Sequence, residues 1–225
     1  MPILMRYLWF VSKLGITGGS GSIARSLITE AEKLHVSTLV YSRSINQLSS
    51  KSISHKIVPN YDEISFDTEI SKLIICNGLF KVGFMEEFRS IELEEFVDAN
   101  LTSILKIIRS YLNSTKKLLR RDIFILGSTA GYDLGPKTSV YAICKFALRG
   151  AIELLNNQFE DSKTRFSLIS YSTVNNTMGR KVPNQIESSL IREKDLAEEI
   201  IKRVFSEKNY FEPEIVIRRR SIQRH

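Results

Sequence analysis

The feature that most restricts what this chain can fold into is an alternation. Seven short apolar runs recur along it: from near Phe10 to Thr17, Thr38–Tyr41, His55–Pro59, Lys72–Cys76, Asp122–Leu126, Arg165–Ser170 and Glu214–Arg218. Each has the length of a strand and falls short of a helix. Between most of them lie stretches with a helical period. The clearest places Ile23, Ala24, Leu27, Ile28, Ala31 and Leu34 on one side. Others run near Glu86–Phe88, from Leu93 to Leu119, through Tyr141 to Leu155, and from Asp195 to Phe205, while 44–54 reads as a loop or weak helix. Strands that alternate with helices pair in parallel, because each crossover returns the chain to the same sheet edge. The expectation is a single-domain α/β fold over residues 1–225: a doubly wound parallel sheet of about seven strands with helices on both faces.

In such a sheet, ligands sit at the carboxyl ends of the strands. The polar irregularities of this sequence follow strands: Thr17 to Gly21, Ser42-Arg43, Asp62, Asn77-Gly78, Ser128, and Ser172 to Asn176. They are therefore expected to gather along one edge. The first, Thr17-Gly18-Gly19-Ser20-Gly21-Ser22-Ile23, sits between a strand and a helix. Glycines let a backbone approach a pyrophosphate, and the helix start offers it free N–H groups. Ala24 stands where the last glycine of G-x-G-x-x-G falls, an accepted variant. An NAD site carries an acid about 20 residues further on for the ribose 2′-hydroxyl. Here that position reads Tyr41-Ser42-Arg43-Ser44, with no acid. A guanidinium among small hydroxyl residues suits a 2′-phosphate, so NADP(H) is favoured over NAD(H).

Tyr141 and Lys145 lie four residues apart in Ser139-Val140-Tyr141-Ala142-Ile143-Cys144-Lys145. On a helix they share a face. An ammonium beside a phenol favours the phenolate and lowers its pKa from about 10. A phenol tuned in this way exchanges a proton with a substrate oxygen.

Together these residues resemble the short-chain dehydrogenase/reductase family over most of the chain. The Gly-rich turn matches in part, with Ser22 and Ala24 in place of later glycines. Cys76-Asn77-Gly78 resembles the family's N-A-G segment. Asn100, in Phe96-Val97-Asp98-Ala99-Asn100, resembles its active-site asparagine. Ser128 resembles its catalytic serine, thirteen residues before Tyr141, and Tyr141-x-x-x-Lys145 completes the set. The resemblance implies a Rossmann-like fold and an NADP(H)-dependent oxidoreductase interconverting a carbonyl and a secondary alcohol. Tyr141 would be the acid/base, Lys145 would tune it and hold the ribose, Ser128 would bind the substrate oxygen, and Asn100 would order a helix and a water. Asp62 would touch the adenine. The family's Pro-Gly followed by Thr is replaced here by Tyr171-Ser172-Thr173-Val174-Asn175-Asn176, with Val174 packing on the nicotinamide and Asn176 near its carboxamide.

The segment 178–192 reads as a short substrate lid. Its Arg180, Lys181 and Arg192 suggest a compact, anionic or sugar-derived carbonyl or alcohol. The net charge of +7 fits anionic ligands as well as plain solubility. A nucleotide-sugar epimerase or dehydratase and a non-catalytic NADP(H)-binding sensor stand as alternatives. Residues 1–9, interrupted by Arg6, read as an extension far short of the roughly 20 residues that span a bilayer. No membrane and no nucleic acid are expected as partners. Cys76 and Cys144 in apolar surroundings point to the cytoplasm, His35, His55 and His225 lack metal-ligand spacing, and relatives suggest a homodimer or homotetramer. The basic tail Arg218-Arg219-Arg220 reads as a solvated tail or a subunit contact.

Overall fold

The computed structural model describes residues 13–43, 52–62, 64–133, 138–183, 186–206 and 212–219. The expected N-terminal extension, most of the 44–54 segment and the end of the basic tail lie outside them. Seven strands form one sheet: β1 (Lys13–Thr17), β2 (Thr38–Ser42), β3 (Ile53–Ile57), β4 (Ile70–Ile75), β5 (Arg121–Leu126), β6 (Thr164–Tyr171) and β7 (Glu214–Ile217). Their order is β3-β2-β1-β4-β5-β6-β7, and every pairing is parallel. The order reverses between β1 and β4, which opens a crevice at their carboxyl ends.

The helices are α1 (Ser22–Lys33), α2 (Ser90–Val97), α3 (Ser103–Ser114), α4 (Ser139–Gln158) and α5 (Glu193–Val204). In α1, Ala24, Leu27, Ile28 and Ala31 are buried; their i, i+3, i+4, i+7 spacing is a core-facing stripe. It packs with α5 on one face of the sheet, around Leu14, Ile16, Ile169 and Ile200. The opposite face collects Ile104, Ile107 and Tyr111 of α3, Leu148 and Ile152 of α4, and Leu73, Ile75 and Ile125 of the sheet. Alternate residues of one strand serve opposite cores, as the pleat requires: Leu168 belongs to the second and Ile169 to the first.

The single helix expected over Leu93–Leu119 is in fact two helices joined by a wide π turn at Asp98–Thr102. Such a turn inserts an extra residue and marks functional positions more often than chance. It holds Asn100, which is fully buried. The helix expected near Glu86–Phe88 is a single 3-10 turn, Met85–Glu87. None of the described helices is long and apolar enough to cross a membrane.

At the amino ends of the strands, Asp122 is buried and gathers three cations. Arg165 Nε lies 2.7 Å, Arg120 Nε 3.1 Å and Lys72 Nζ 3.2 Å from its oxygens. Burial works against its charge. The Arg165 hydrogen bond and the Lys72, Arg165 and Arg120 charges nevertheless hold the carboxyl below its ordinary range. This network lies away from the polar edge and ties β4, β5 and β6 together.

Candidate active site

The glycine turn follows from sterics. Gly18 has φ +69, and a Cβ there would lie 3.0 Å from the Cys76 carbonyl carbon. A Cβ on Gly19 would sit 2.3 Å from Val40 Cγ1. Both positions require glycine, and the turn is thereby pressed between β2 and β4. Ser20 and Gly21 face solvent, and no side chain caps the start of α1. The first-turn N–H groups are thus left for a ligand, as a dinucleotide pyrophosphate needs. Thr17 Oγ1 donates to Asn77 Oδ1 at 2.7 Å, which joins the ends of β1 and β4. Ile23 packs against the α1 core. Ser42 is buried beside Gly19, and Arg43 is exposed at the end of β2.

The four expected catalytic residues converge. Asn100 accepts at Oδ1 from Leu79 N (3.2 Å) and donates from Nδ2 to the Phe96 carbonyl (2.9 Å). It therefore fixes the segment after β4 against the π turn. A Cβ on Gly78 would stand 3.1 Å from Asn100 Oδ1 and 3.7 Å from Lys145 Nζ, so these three meet. Ser128 follows β5 and accepts from Ala130 N at 3.1 Å. Gly131 lets that turn approach α4: a Cβ there would lie 3.1 Å from the Lys145 carbonyl oxygen. Ser128 is thereby set beside the phenol of Tyr141.

Lys145 is 4% exposed. Among the described residues its Nζ hydrogen-bonds the Leu126 carbonyl, at 3.4 Å, and burial lowers its pKa to about 8. The Tyr141 phenol moves the other way. Burial pushes it up to about 12, against the opposing Ser128 hydrogen bond. The expectation that Lys145 lowers this pKa is not met in this arrangement. The ammonium lies 5.4 Å from the ring centroid, and burial is the dominant influence on the phenol.

Two other expected cofactor contacts have partners within the chain. Asp62 is exposed after β3 and ion-paired with Lys106 of α3. Asn176 has its side-chain amide committed as well: Nδ2 donates to Ser22 Oγ (3.2 Å), and Oδ1 accepts from Gly179 N (2.7 Å). Val174 is buried and bridges to Ile191. The expected lid breaks into short turns at Gly179–Lys181 and Glu187–Ser189. Of its cations, Arg180 is bound to Asn175 Oδ1 at 3.0 Å. Arg192 makes a bidentate pair with Asp195, both contacts at 2.7 Å.

Sequence reasoning missed Phe80. Its ring stands edge-on to Tyr141, with centroids 5.0 Å apart, and Phe96 approaches the same phenol ring at 6.3 Å. Phe80 lies two residues past Gly78 with no pattern to single it out. Leu79, Phe84 and Met85 of the same connection are exposed.

With this geometry in view, the relatives can be placed. A family model for the short chain dehydrogenases matches residues 54–187, well over half of the chain. The chain belongs to the short-chain dehydrogenase family. These are oxidoreductases that use NAD or NADP, and the uncapped glycine turn of this member fits such a dinucleotide. A curated 3-dehydrosphinganine reductase of Arabidopsis thaliana is 25% identical over 177 residues, 70% of this chain and 52% of the relative. The chain thus spans about half the length of that protein. Solved structures share the fold at low identity. A 3-ketoacyl-(acyl-carrier-protein) reductase from Brucella melitensis complexed with NADH superposes with TM-score 0.82 at 13% identity, covering 93% of this chain and 97% of that one. An alcohol dehydrogenase from Thermococcus sibiricus complexed with 5-hydroxy-NADP gives 0.77 at 17% identity, covering 92% and 96%.

Proposed function

We propose that this short-chain dehydrogenase is an NADP(H)-dependent reductase of a lipophilic ketone, with Tyr141 as the acid/base. The observation that carries the reading is the convergence of Ser128, Tyr141, Lys145 and Asn100 beside the glycine turn. A bound nicotinamide would supply the hydride. The remaining chemistry belongs to the chain. The Ser128 hydroxyl donates to the substrate oxygen, where negative charge gathers as the carbonyl is reduced. Tyr141 passes its phenolic proton to that oxygen. A phenol held near 12 is a reluctant donor, and the positive charge of Lys145 stabilises the phenolate that donation leaves. Asn100 keeps the segment after β4 in place at Gly78. Arg43, exposed beside the turn, supports NADP(H) over NAD(H).

The substrate side is aromatic. Phe80 lies against the phenol, and Leu79, Phe84 and Met85 leave apolar surface on the same connection. Of the lid cations that suggested an anionic or sugar-derived substrate, Arg180 and Arg192 are paired with Asn175 and Asp195, and Lys181 is exposed. The name of the Arabidopsis relative supports the same choice. Titration of NADPH and NADH by fluorescence, followed by a screen of long-chain ketones against sugar phosphates, tests each part. Turnover of long-chain ketones with NADPH, lost by about 10²–10⁴-fold in Tyr141→Phe, is expected. Turnover confined to sugar phosphates refutes the substrate class. Tight NADPH binding with no turnover, unchanged in Tyr141→Phe, makes the protein a cofactor-binding sensor.

A further inference from the structure

Two departures from the family's usual residues, far apart in sequence, touch each other. Ser22 replaces a glycine of the phosphate turn and is the first residue of α1. Asn176 stands where a threonine is expected after β6. They are separated by 154 residues, and Asn176 Nδ2 donates to Ser22 Oγ at 3.2 Å. The other end of the same amide accepts from Gly179 N at 2.7 Å. Asn176 also accepts at its backbone oxygen from Arg180 N, at 3.0 Å. One side chain therefore holds both the start of α1 and the Gly179–Lys181 turn.

That turn leaves no slack. A Cβ on Gly179 would lie 1.9 Å from the Val174 carbonyl oxygen, so Gly179 is pressed onto the backbone that leads into Asn176. The two ends of the segment are stapled as well. Asn175 N donates to Ile191 O at 2.8 Å and Ile191 N to Thr173 O at 3.0 Å. Between these anchors, Arg180 and Lys181 are exposed, and Asn176 is the link among the described residues from this turn to α1.

We infer that Asn176 is a positioning residue, a latch that ties the Gly179–Lys181 turn to the phosphate-binding start of α1. Order in one then favours order in the other. Dinucleotide bound at the first-turn amides of α1 steadies Ser22, and through Asn176 it steadies the wall of the substrate side. By linkage, a seated turn strengthens dinucleotide binding by the same factor. This coupling rests on the cofactor reading given above; the latch itself does not.

Limited trypsin digestion reads the latch directly, because Arg180 and Lys181 are cleavage sites within the turn. Wild type, Ser22→Ala, Asn176→Ala and Asn176→Asp are compared without cofactor, with thermal melts to establish folding. Loss of one neutral hydrogen bond shifts an opening equilibrium about fivefold. Cleavage at Arg180–Lys181 in Ser22→Ala should therefore quicken by about that factor, and in Asn176→Ala by more. Asn176→Asp is the discriminating variant. Its carboxylate accepts from Gly179 N–H and from the Ser22 hydroxyl, so cleavage should stay slow. Its negative charge beside the turn should weaken NADPH several-fold, as read by fluorescence. Saturating NADPH should slow cleavage in wild type and do so less in Ser22→Ala. Cleavage in Ser22→Ala and Asn176→Ala at the wild-type rate overturns the latch, as does fast cleavage in Asn176→Asp. If NADPH fails to bind wild type while the cofactor-free differences persist, the cofactor reading falls and the latch stands.

Discussion

Lys145 makes a demand on the fold that can be measured. Its ammonium is 4% exposed, and among the described residues it forms no ion pair; its hydrogen-bond partner is the Leu126 carbonyl at 3.4 Å. Burial lowers its pKa from 10.5 to about 8. At about 1.36 kcal/mol per pKa unit, the charged side chain costs the folded state about 3 kcal/mol at pH 7. The sign follows from proton counting. Between about pH 8 and 10.5 the unfolded chain binds more protons at this site than the folded one, so stability rises with pH across that window. The penalty is full below pH 8 and shrinks to about 1 kcal/mol by pH 10. Lys145→Met keeps the apolar stem and removes the charge. In urea unfolding at pH 7 the variant should be more stable than wild type by up to about 3 kcal/mol, and turnover should be lost. At pH 10 the two should converge to within about 1 kcal/mol. Comparing the pair cancels the titration of groups remote from Lys145. A Lys145→Met protein less stable than wild type at pH 7, or a gap that ignores pH, would falsify this account of the buried ammonium.

Asp122→Ala strips the carboxylate from Lys72, Arg120 and Arg165 and should destabilise the protein by about 3–5 kcal/mol in urea unfolding. Because the folded Asp122 pKa is depressed, that contribution is present above about pH 4 and fades as pH falls below it; a loss that persists undiminished at pH 2 contradicts the assignment. Gly19→Ala forces a methyl to within 2.3 Å of the Val40 side chain. An overpacked, β-branched neighbour gives about 1–3 kcal/mol of lost stability, and the displaced turn should weaken NADPH; an unchanged melt with unchanged NADPH affinity rules the contact out. Arg43→Ala should raise the NADPH Kd roughly tenfold, the loss of one charge-assisted hydrogen bond. NADH binding should be left nearly untouched, and equal effects on both dinucleotides would remove Arg43 from the site.

The alternation of apolar runs and helical stripes was enough to predict a parallel sheet with two covered faces. That logic is local: strand length, helical period and crossover geometry are written in consecutive residues, from Ala24-Leu27-Ile28-Ala31 to the Tyr141 helix. The glycine turn and the Tyr-Lys spacing are legible for the same reason, since a backbone that must approach a neighbour or a shared helical face depends on short separations. Other features depend on contacts between distant segments. The π turn at Asn100 interrupts what the periodicity reads as one helix, because Asn100 binds both Leu79 and Phe96. Burial of Lys145 and Tyr141 reverses the expected shift of the phenol, since desolvation is set by everything packed around them. Phe80 reaches Tyr141 and Asn176 meets Ser22, both without a sequence signal. The sequence by itself determined the sheet, the turn and the residue types that chemistry needs. Only the tertiary structure decided which polar groups were already spent and which stayed available. Hydrogen bonds and desolvation are settled by neighbours in space, whatever their distance along the chain.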